Sequence, residues 1–300
     1  MKNTTIKILA IAAALFVSPA ICCADVSLPD VIGDRMVLQR NQVVAIWGKA
    51  APGEVVTVGF GGQTKKTTAD NNGAWRVNLD RMPANATPAT MTIMGRNTIK
   101  LQNILVGEVW LVSGQSNMQL TLPETNDGAA AIAAANHPTI RLFDVSRRVA
   151  LKQESGPLGV WQVCSPDTIK GFSAAGYYFG VELKRALNVP IGLINSSFGG
   201  TQAEAWTPVE YLLASNDLRP TVERTRIWEA ERPRVQAEYD VTLAKWREAV
   251  QKAKAEGTPT PRQPTVPDAL RPQRIAASLY DGMVAPLIPF AIRGAVWYQG

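Results

Sequence analysis

The chain has 300 residues, which is enough for about two domains. With 46% hydrophobic and 19% charged residues, its composition is typical of a globular protein whose core needs no metal or disulfide to stabilise it. The formal net charge is +6, but the basic residues are dispersed and do not alternate with aromatic ones. This pattern gives no indication of nucleic-acid binding.

The first residues have the pattern of a secretory signal peptide. Basic residues precede the apolar stretch 8–17, and mostly small residues follow as far as Ala24. The apolar stretch is too short to cross a bilayer comfortably. We therefore expect residues 1–24 to be cleaved after Ala24, or alternatively after Ala20, and the protein to be secreted or periplasmic. Removal of this segment leaves Cys164 as the single cysteine, which we interpret as a buried small apolar residue.

Residues 25–104 consist of short β-branched or aromatic runs separated by turn-forming residues. The runs are M-V-L-Q, V-V-A-I-W-G, E-V-V-T-V-G-F and W-R-V-N-L-D, and the turns between them include A-P-G-E and D-N-N-G. Several short strands at close spacing predict a small β-sandwich domain in this segment.

Residues 105–300 show a different pattern, which predicts an α/β domain. Apolar runs occupy 108–112, 140–145, 190–195 and 292–298, and helical patterns at 128–136 and 175–187 lie between them. Apolar strands that alternate with helices indicate a parallel sheet covered by helices on both faces. Ligands of such sheets bind at the carboxyl ends of the strands.

Residues 221–272 interrupt this domain as an insertion. Apolar residues from Tyr239 to Val250 recur at helical spacing along one face, and a Pro-rich segment follows them. We interpret 221–256 as a solvated helix or a helical hairpin that breaks near Pro233. A plain surface excursion and a lid or interaction arm both fit this pattern.

The stretch G-E-V-W-L-V-S-G-Q-S-N-M, residues 107–118, leaves an apolar strand and contains two serines. Ser113 is still close to the strand, whereas Ser116 falls near the start of the next element. Free backbone N–H groups at such a start can stabilise an oxyanion. Ser116 is therefore the candidate nucleophile, and its own N–H is a candidate oxyanion donor. The alternative is that Ser116 or Asn117 caps a helix.

A second stretch, I-N-S-S-F-G-G-T-Q-A-E-A-W at residues 194–206, also leaves an apolar strand. Gly199 and Gly200 have no side chains, so a ligand can approach their backbone and bind their N–H groups. The alternative is an ordinary loop whose glycines serve turn geometry.

Five segments taken together resemble the sialate O-acetylesterase family of the SGNH hydrolases. They are G-E-V-W-L-V-S-G-Q-S-N-M, F-S-A-A-G-Y-Y-F-G, N-S-S-F-G-G-T-Q-A-E-A-W, S-L-Y-D-G-M-V-A-P-L-I-P-F and G-A-V-W-Y-Q-G, in this order. The resemblance covers most of residues 30–300. It implies an α/β fold, a flavodoxin-like three-layer α/β/α SGNH-hydrolase domain that is incomplete here and follows the β-sandwich. It also implies Ser116 as the nucleophile and Gly199 or Gly200 as the second donor of the oxyanion hole.

The same resemblance implies an enzyme that hydrolyses O-acetyl esters of sialic acids without a metal or cofactor. Gln115, Glu204 and Trp206 would shape the pocket for the sugar. The partner is then an O-acetylated sialic acid or another acetylated glycan, with no nucleic acid and no membrane span, and the oligomeric state stays open. Two alternatives remain: an acetyl esterase for a plant polysaccharide such as acetylxylan, and a noncatalytic carbohydrate-binding protein. In the second alternative, sugars stack on Trp47, Trp75, Trp110 and Trp206.

A catalytic base is missing from this pattern. The one histidine, His137, precedes a predicted strand and so lies at the amino end, away from the catalytic edge. The family's acid and histidine follow an Asp-x-x-His pattern, but Ala134 stands in the place of the acid. Residues 297–300 resemble the opening of a further family block. We therefore expect this chain to be a fragment or a truncated form, with turnover reduced on the order of a million-fold, as for loss of a triad member.

Overall fold

The computed structural model describes residues 25–151 and 158–300, and the predicted signal peptide lies outside these described residues. The strands are β1 (Val37–Gln39), β2 (Val44–Lys49), β3 (Val55–Phe60), β4 (Gln63–Thr68), β5 (Ala74–Leu79), β6 (Asn85–Met94), β7 (Thr98–Gly114), β8 (His137–Asp144), β9 (Trp161–Cys164), β10 (Ile191–Ser197) and β11 (Gly294–Tyr298). The helices are α1 (Ser116–Gln119), α2 (Gly128–Ala134), α3 (Ala174–Leu187), α4 (Val209–Ala214) and α5 (Arg219–Glu256).

Strand β7 connects the β-rich segment to the α/β segment. It has 17 residues; its first part pairs antiparallel with β6, and its second part pairs in parallel with β10 and β11. The strand order is β4-β3-β6-β7-β10-β8-β9, and β1 and β11 also pair with β7. Strands β2 and β5 form a separate two-stranded sheet, and their buried side chains share one core with those of β3 and β6. Two sheets around one core is the arrangement expected of a β-sandwich.

The second part of the chain forms a sheet covered on both faces, as predicted, but the sheet is mixed and not purely parallel. Strands β7, β8, β10 and β11 run parallel, whereas β9 pairs antiparallel with β8 at the edge. Every residue of β10 is buried. Tyr177 of α3 packs with Leu193 and buried Cys164 on one face, while Leu279 and Met283 pack with Ile194 on the other. Burial raises the pKa of the Cys164 thiol to about 12, in keeping with its predicted role as a core residue.

Helix α5 is one continuous helix of 38 residues, so the predicted break near Pro233 is wrong. Pro233 is exposed, and water can bind the carbonyl that lacks a backbone N–H partner. The predicted apolar face of α5 contacts the Pro-rich segment that follows it. The Tyr239 hydroxyl donates to the Pro264 carbonyl at 3.3 Å, and Trp246 Nε1 donates to the Pro261 carbonyl at 3.0 Å. Of the helices in the described residues, none combines the length and apolar character that crossing a bilayer requires.

Candidate active site

The candidate nucleophile follows a turn that only glycine allows. Strand β7 ends at Gly114, whose φ of 138° lies in the region that favours glycine. A Cβ at this position would lie 2.1 Å from the carbonyl oxygen of Tyr298 on β11. The next N–H, that of Gln115, donates to the same carbonyl at 3.0 Å. The chain therefore leaves the sheet at its carboxyl edge and enters α1 at Ser116.

The two serines of this segment have different surroundings. Ser113 is 2% exposed, and its hydroxyl donates to the Ser196 carbonyl at 2.6 Å. Ser116 is exposed, and its hydroxyl lies 3.5 Å from Gln115 Oε1. Within the described residues, the Ser116 N–H donates to no acceptor. The Ser113 hydroxyl is therefore buried and already hydrogen-bonded, whereas both the hydroxyl and the N–H of Ser116 are accessible to a ligand.

Ser113→Ala is expected to lower the free energy of unfolding by about 1 kcal/mol, because the Ser196 carbonyl loses a buried hydrogen bond. Ser116→Ala should change the same quantity by less than about 0.5 kcal/mol, since the Ser116 side chain is exposed. Urea unfolding followed by tryptophan fluorescence measures both values. A larger loss for Ser116→Ala than for Ser113→Ala would contradict this placement.

The glycine loop, residues 198–201, lies beside Ser116. It follows β10, which pairs directly with β7, so the two strand exits are neighbours. A Cβ on Gly199 would lie 3.4 Å from Ser116 Cβ, which shows how closely the loop approaches this serine. Gly200 has a φ of 71°, a conformation that also favours glycine.

Hydrogen bonds hold the glycine loop at each of its residues. Two loop amides donate: Phe198 N–H to the Gly114 carbonyl at 3.1 Å, and Gly199 N–H to Gln119 Oε1 at 2.6 Å. Two loop carbonyls accept: that of Gly200 from Arg274 Nε at 3.2 Å, and that of Thr201 from Gln299 Nε2 at 3.0 Å. The Gly200 N–H has no acceptor in the part of the chain that the structure describes. The loop is thus fixed, and of its two glycine amides the Gly200 N–H is the open one.

The residues predicted to shape the pocket lie around this loop. Gln115 is half-buried next to the candidate nucleophile. The Glu204 carboxylate forms an ion pair with Arg224 of α5. Trp206 is 7% exposed, and its indole N–H donates to Thr201 Oγ1 at 3.0 Å. This hydrogen bond helps to hold the glycine loop in place. Direct contact of these residues with a sugar stays a prediction.

The tryptophans considered for sugar stacking are engaged in packing. Trp75 is 3% exposed. Trp47 packs edge-on against Phe290 at a ring-centroid distance of 6.4 Å, and Trp110 packs against Phe179 at 5.1 Å. These contacts favour a structural role for the three side chains.

Two side chains at the carboxyl end of β8 were not found by sequence reasoning. Asp144 accepts a hydrogen bond from Asn195 Nδ2 at 2.6 Å. The exposed Arg147 guanidinium lies over the ring of Phe198, with its central carbon 5.9 Å from the ring centroid. An Asp or Arg after a strand is common on any surface, so the residue types alone gave no signal.

His137 is far from the candidate nucleophile. It begins β8, which runs parallel to β10, so it lies at the amino edge of the sheet as predicted. Strand β8 has 8 residues, and the steps between the first and the last, at about 3.3 Å each, separate the two edges by roughly 23 Å. Its Nε2 lies 3.4 Å from the Tyr177 hydroxyl, and burial, with the nearby charge of Lys184, lowers its pKa. This position does not allow His137 to act as the base for Ser116.

The fold agrees with what the comparisons with known proteins found. A carbohydrate acetylesterase from Xanthomonas citri matches with a TM-score of 0.70 and 28% identity, covering 92% of this chain and 51% of that protein. The family model described as carbohydrate esterase, sialic acid-specific acetylesterase, matches residues 106–257. The chain belongs to this family of carbohydrate esterases.

Curated sialate O-acetylesterases are similar over most of this chain. The protein from Rattus norvegicus is 31% identical over 289 residues, which are 90% of this chain and 51% of the relative. The protein from Homo sapiens is 29% identical over 290 residues, which are 90% of this chain and 47% of the relative. The chain thus spans about half the length of the curated relatives that it matches.

Proposed function

We propose that the protein is a serine esterase that removes acetyl groups from O-acetylated sialic acids, with Ser116 as its nucleophile. The observation that carries this proposal is the position of Ser116. Its exposed hydroxyl stands at the carboxyl edge of the sheet, and its N–H makes no hydrogen bond to the described residues. The glycine loop lies so close that a Cβ on Gly199 would be 3.4 Å from Ser116 Cβ. Serine, its own amide and a glycine amide are the parts that acyl transfer requires.

In the proposed reaction, Ser116 Oγ attacks the acetyl carbonyl carbon and gives up its proton to a base. The carbonyl oxygen becomes an oxyanion, which the Ser116 N–H and an amide of the glycine loop stabilise. The intermediate then expels the sugar oxygen, which takes up a proton, and leaves an acetyl-serine. A water molecule attacks this ester in the same way and releases acetate.

Among the residues that the structure describes, none is placed to act as the base for this reaction. His137 lies at the opposite edge, and in the described residues no histidine, aspartate or glutamate hydrogen-bonds to Ser116 Oγ. We infer that the base of the proposed reaction lies outside the described residues. Because a small soluble base can take over part of this role, added imidazole should increase turnover by the chain.

The family description and the names of the curated relatives support a sialic acid as the sugar. A feature of this chain adds to that support. Sialic acids carry a carboxylate, and the exposed Arg147 guanidinium lies against Phe198, the residue before Gly199. An arginine can bind a carboxylate with two parallel hydrogen bonds. The acetylated xylose units of a xylan backbone offer no such group.

Arg147→Gln is expected to weaken the binding of sialic acid to the chain by roughly tenfold, because one charge-assisted contact is lost. The methyl ester of sialic acid, which has no carboxylate, should bind both forms equally. Titration calorimetry measures these affinities. Arg185→Gln is the matched control, since Arg185 is an exposed arginine on α3 that pairs with Glu182. Equal affinities of the Arg147→Gln and Arg185→Gln variants for sialic acid would remove Arg147 from the binding site.

The substrate class is tested by acetate release in the presence of imidazole. We expect the chain to release acetate faster from O-acetylated sialic acid than from acetylated xylan, and the release to depend on Ser116. Faster release from acetylated xylan would favour a plant-polysaccharide esterase instead. Release from both substrates that is unaffected by Ser116→Ala would contradict the proposed function.

A further inference from the structure

We infer that Gln119 is a positioning residue that occupies the Gly199 N–H and thereby leaves the Gly200 N–H as the oxyanion donor of the glycine loop. This inference rests on the proposed function, because it assigns the donor for the oxyanion formed at Ser116. It decides between two glycines that the sequence pattern left equivalent.

The Gly199 amide already has a strong acceptor. Gln119 ends α1, the helix that Ser116 begins, and its Oε1 accepts the Gly199 N–H at 2.6 Å. A Cβ built on Gly199 would lie 3.1 Å from the same oxygen. The Gln119 carboxamide therefore occupies the space next to the Gly199 Cα and N–H. An amide with one short hydrogen bond has no second proton for an oxyanion.

The Gly200 amide is open and rigidly placed. No atom lies within 4 Å of a Cβ built on Gly200, and its N–H makes no hydrogen bond to the described residues. Its carbonyl accepts from Arg274 Nε at 3.2 Å, and the Arg274 guanidinium in turn pairs with Asp268 at 2.6 Å. The peptide group that carries the Gly200 N–H thus lies between two fixed ones, held by Gln119 on one side and by Arg274 on the other.

This arrangement gives Gln119 a role without contact to the substrate. A donor whose direction is set before the reaction stabilises developing charge without a cost for reorientation. Gln119 holds the peptide that precedes this donor and belongs to the same short helix as Ser116. The Gln119 side chain therefore fixes the position of the Gly200 N–H relative to the Ser116 hydroxyl.

The experiment uses the ¹⁵N-labelled 300-residue chain with phenylboronic acid as the probe. The serine Oγ forms a bond to boron, its proton passes to solvent, and the product is a tetrahedral boronate anion that resembles the oxyanion. We expect the amide resonances of Ser116 and Gly200 to shift on addition of the probe and that of Gly199 to stay in place. A shift of Gly199 with Gly200 unmoved would overturn the inference.

A second measurement needs no adduct. Gln119→Met keeps the length of the side chain but removes the acceptor, so the Gly199 amide should exchange with solvent on the order of tenfold faster. Gln119→Glu keeps an acceptor and should retain the slow exchange, and Gln102→Met, at an exposed site on β7, serves as the control. Unchanged exchange of Gly199 in Gln119→Met would refute the role of Gln119. The absence of any boronate adduct at Ser116 would instead count against the proposed function.

Discussion

Ser116→Ala is expected to abolish the imidazole-dependent hydrolysis of p-nitrophenyl acetate by the chain. The variant has no oxygen to attack the acetyl carbonyl, and neither imidazole nor the amides of the glycine loop can replace it. In an enzyme that also supplies its base, the same change should lower kcat on the order of a million-fold. The rate is followed by the absorbance of p-nitrophenolate after subtraction of hydrolysis by imidazole alone.

Ser113→Ala is the matched control for this prediction. It removes the same hydroxyl three positions earlier, from a buried side chain bonded to the Ser196 carbonyl. We expect this variant to keep the imidazole-dependent rate at temperatures where it stays folded. Full activity of Ser116→Ala together with loss of activity in Ser113→Ala would reverse the assignment of the nucleophile.

Gly114→Ala is expected to have the largest effect on stability, lowering the free energy of unfolding by about 3–5 kcal/mol. The added Cβ would lie 2.1 Å from the Tyr298 carbonyl oxygen and 2.9 Å from its nitrogen, and backbone atoms on a paired strand cannot move aside cheaply. The φ of 138° adds strain for any residue with a side chain. Because domains of this size are stable by only about 5–15 kcal/mol, the variant should unfold at a much lower urea concentration.

Gly171→Ala separates this effect from the general cost of replacing a glycine. No atom lies within 4 Å of a Cβ at Gly171, so we expect a change below about 0.5 kcal/mol. Similar stability losses in the two variants would mean that the close contact between Gly114 and β11 is not what requires glycine there.

The sequence predicted several elements whose side chains are buried, but not β9, although Trp161 and Cys164 of that strand are buried. Strands β8 and β10 are apolar runs, and α3 has helical spacing with Ser173 as its N-cap, whose hydroxyl accepts the Gly176 N–H. Strand β4 was missed because its residues, Q-T-K-K-T-T, are polar and it lies at the edge of the sheet. Hydrophobic periodicity cannot show a strand that buries so little. The predicted break of α5 failed for a different reason: Pro233 is exposed, so water can bind the carbonyl one turn earlier that lacks a backbone N–H partner.

The candidate site was predictable only where its residues follow one another along the chain. Ser116 and the glycine pair each stand directly after an apolar strand, which a sequence pattern can show. Arg274 reaches Gly200 across 74 residues, and the Gln119 side chain meets Gly199 across 80. Such contacts depend on how neighbouring strands place their ends, and no local pattern contains that information.

The proposed function requires that the Ser116 hydroxyl attack an acetyl carbonyl beside free backbone amides. Mass spectrometry of peptides from the chain, after brief mixing with p-nitrophenyl acetate and imidazole, shows whether this attack occurs. We predict an acetyl group on Ser116 that hydroxylamine removes and that is absent from Ser116→Ala. Acetylation confined to lysines, or found equally on other serines, would exclude Ser116 as the nucleophile.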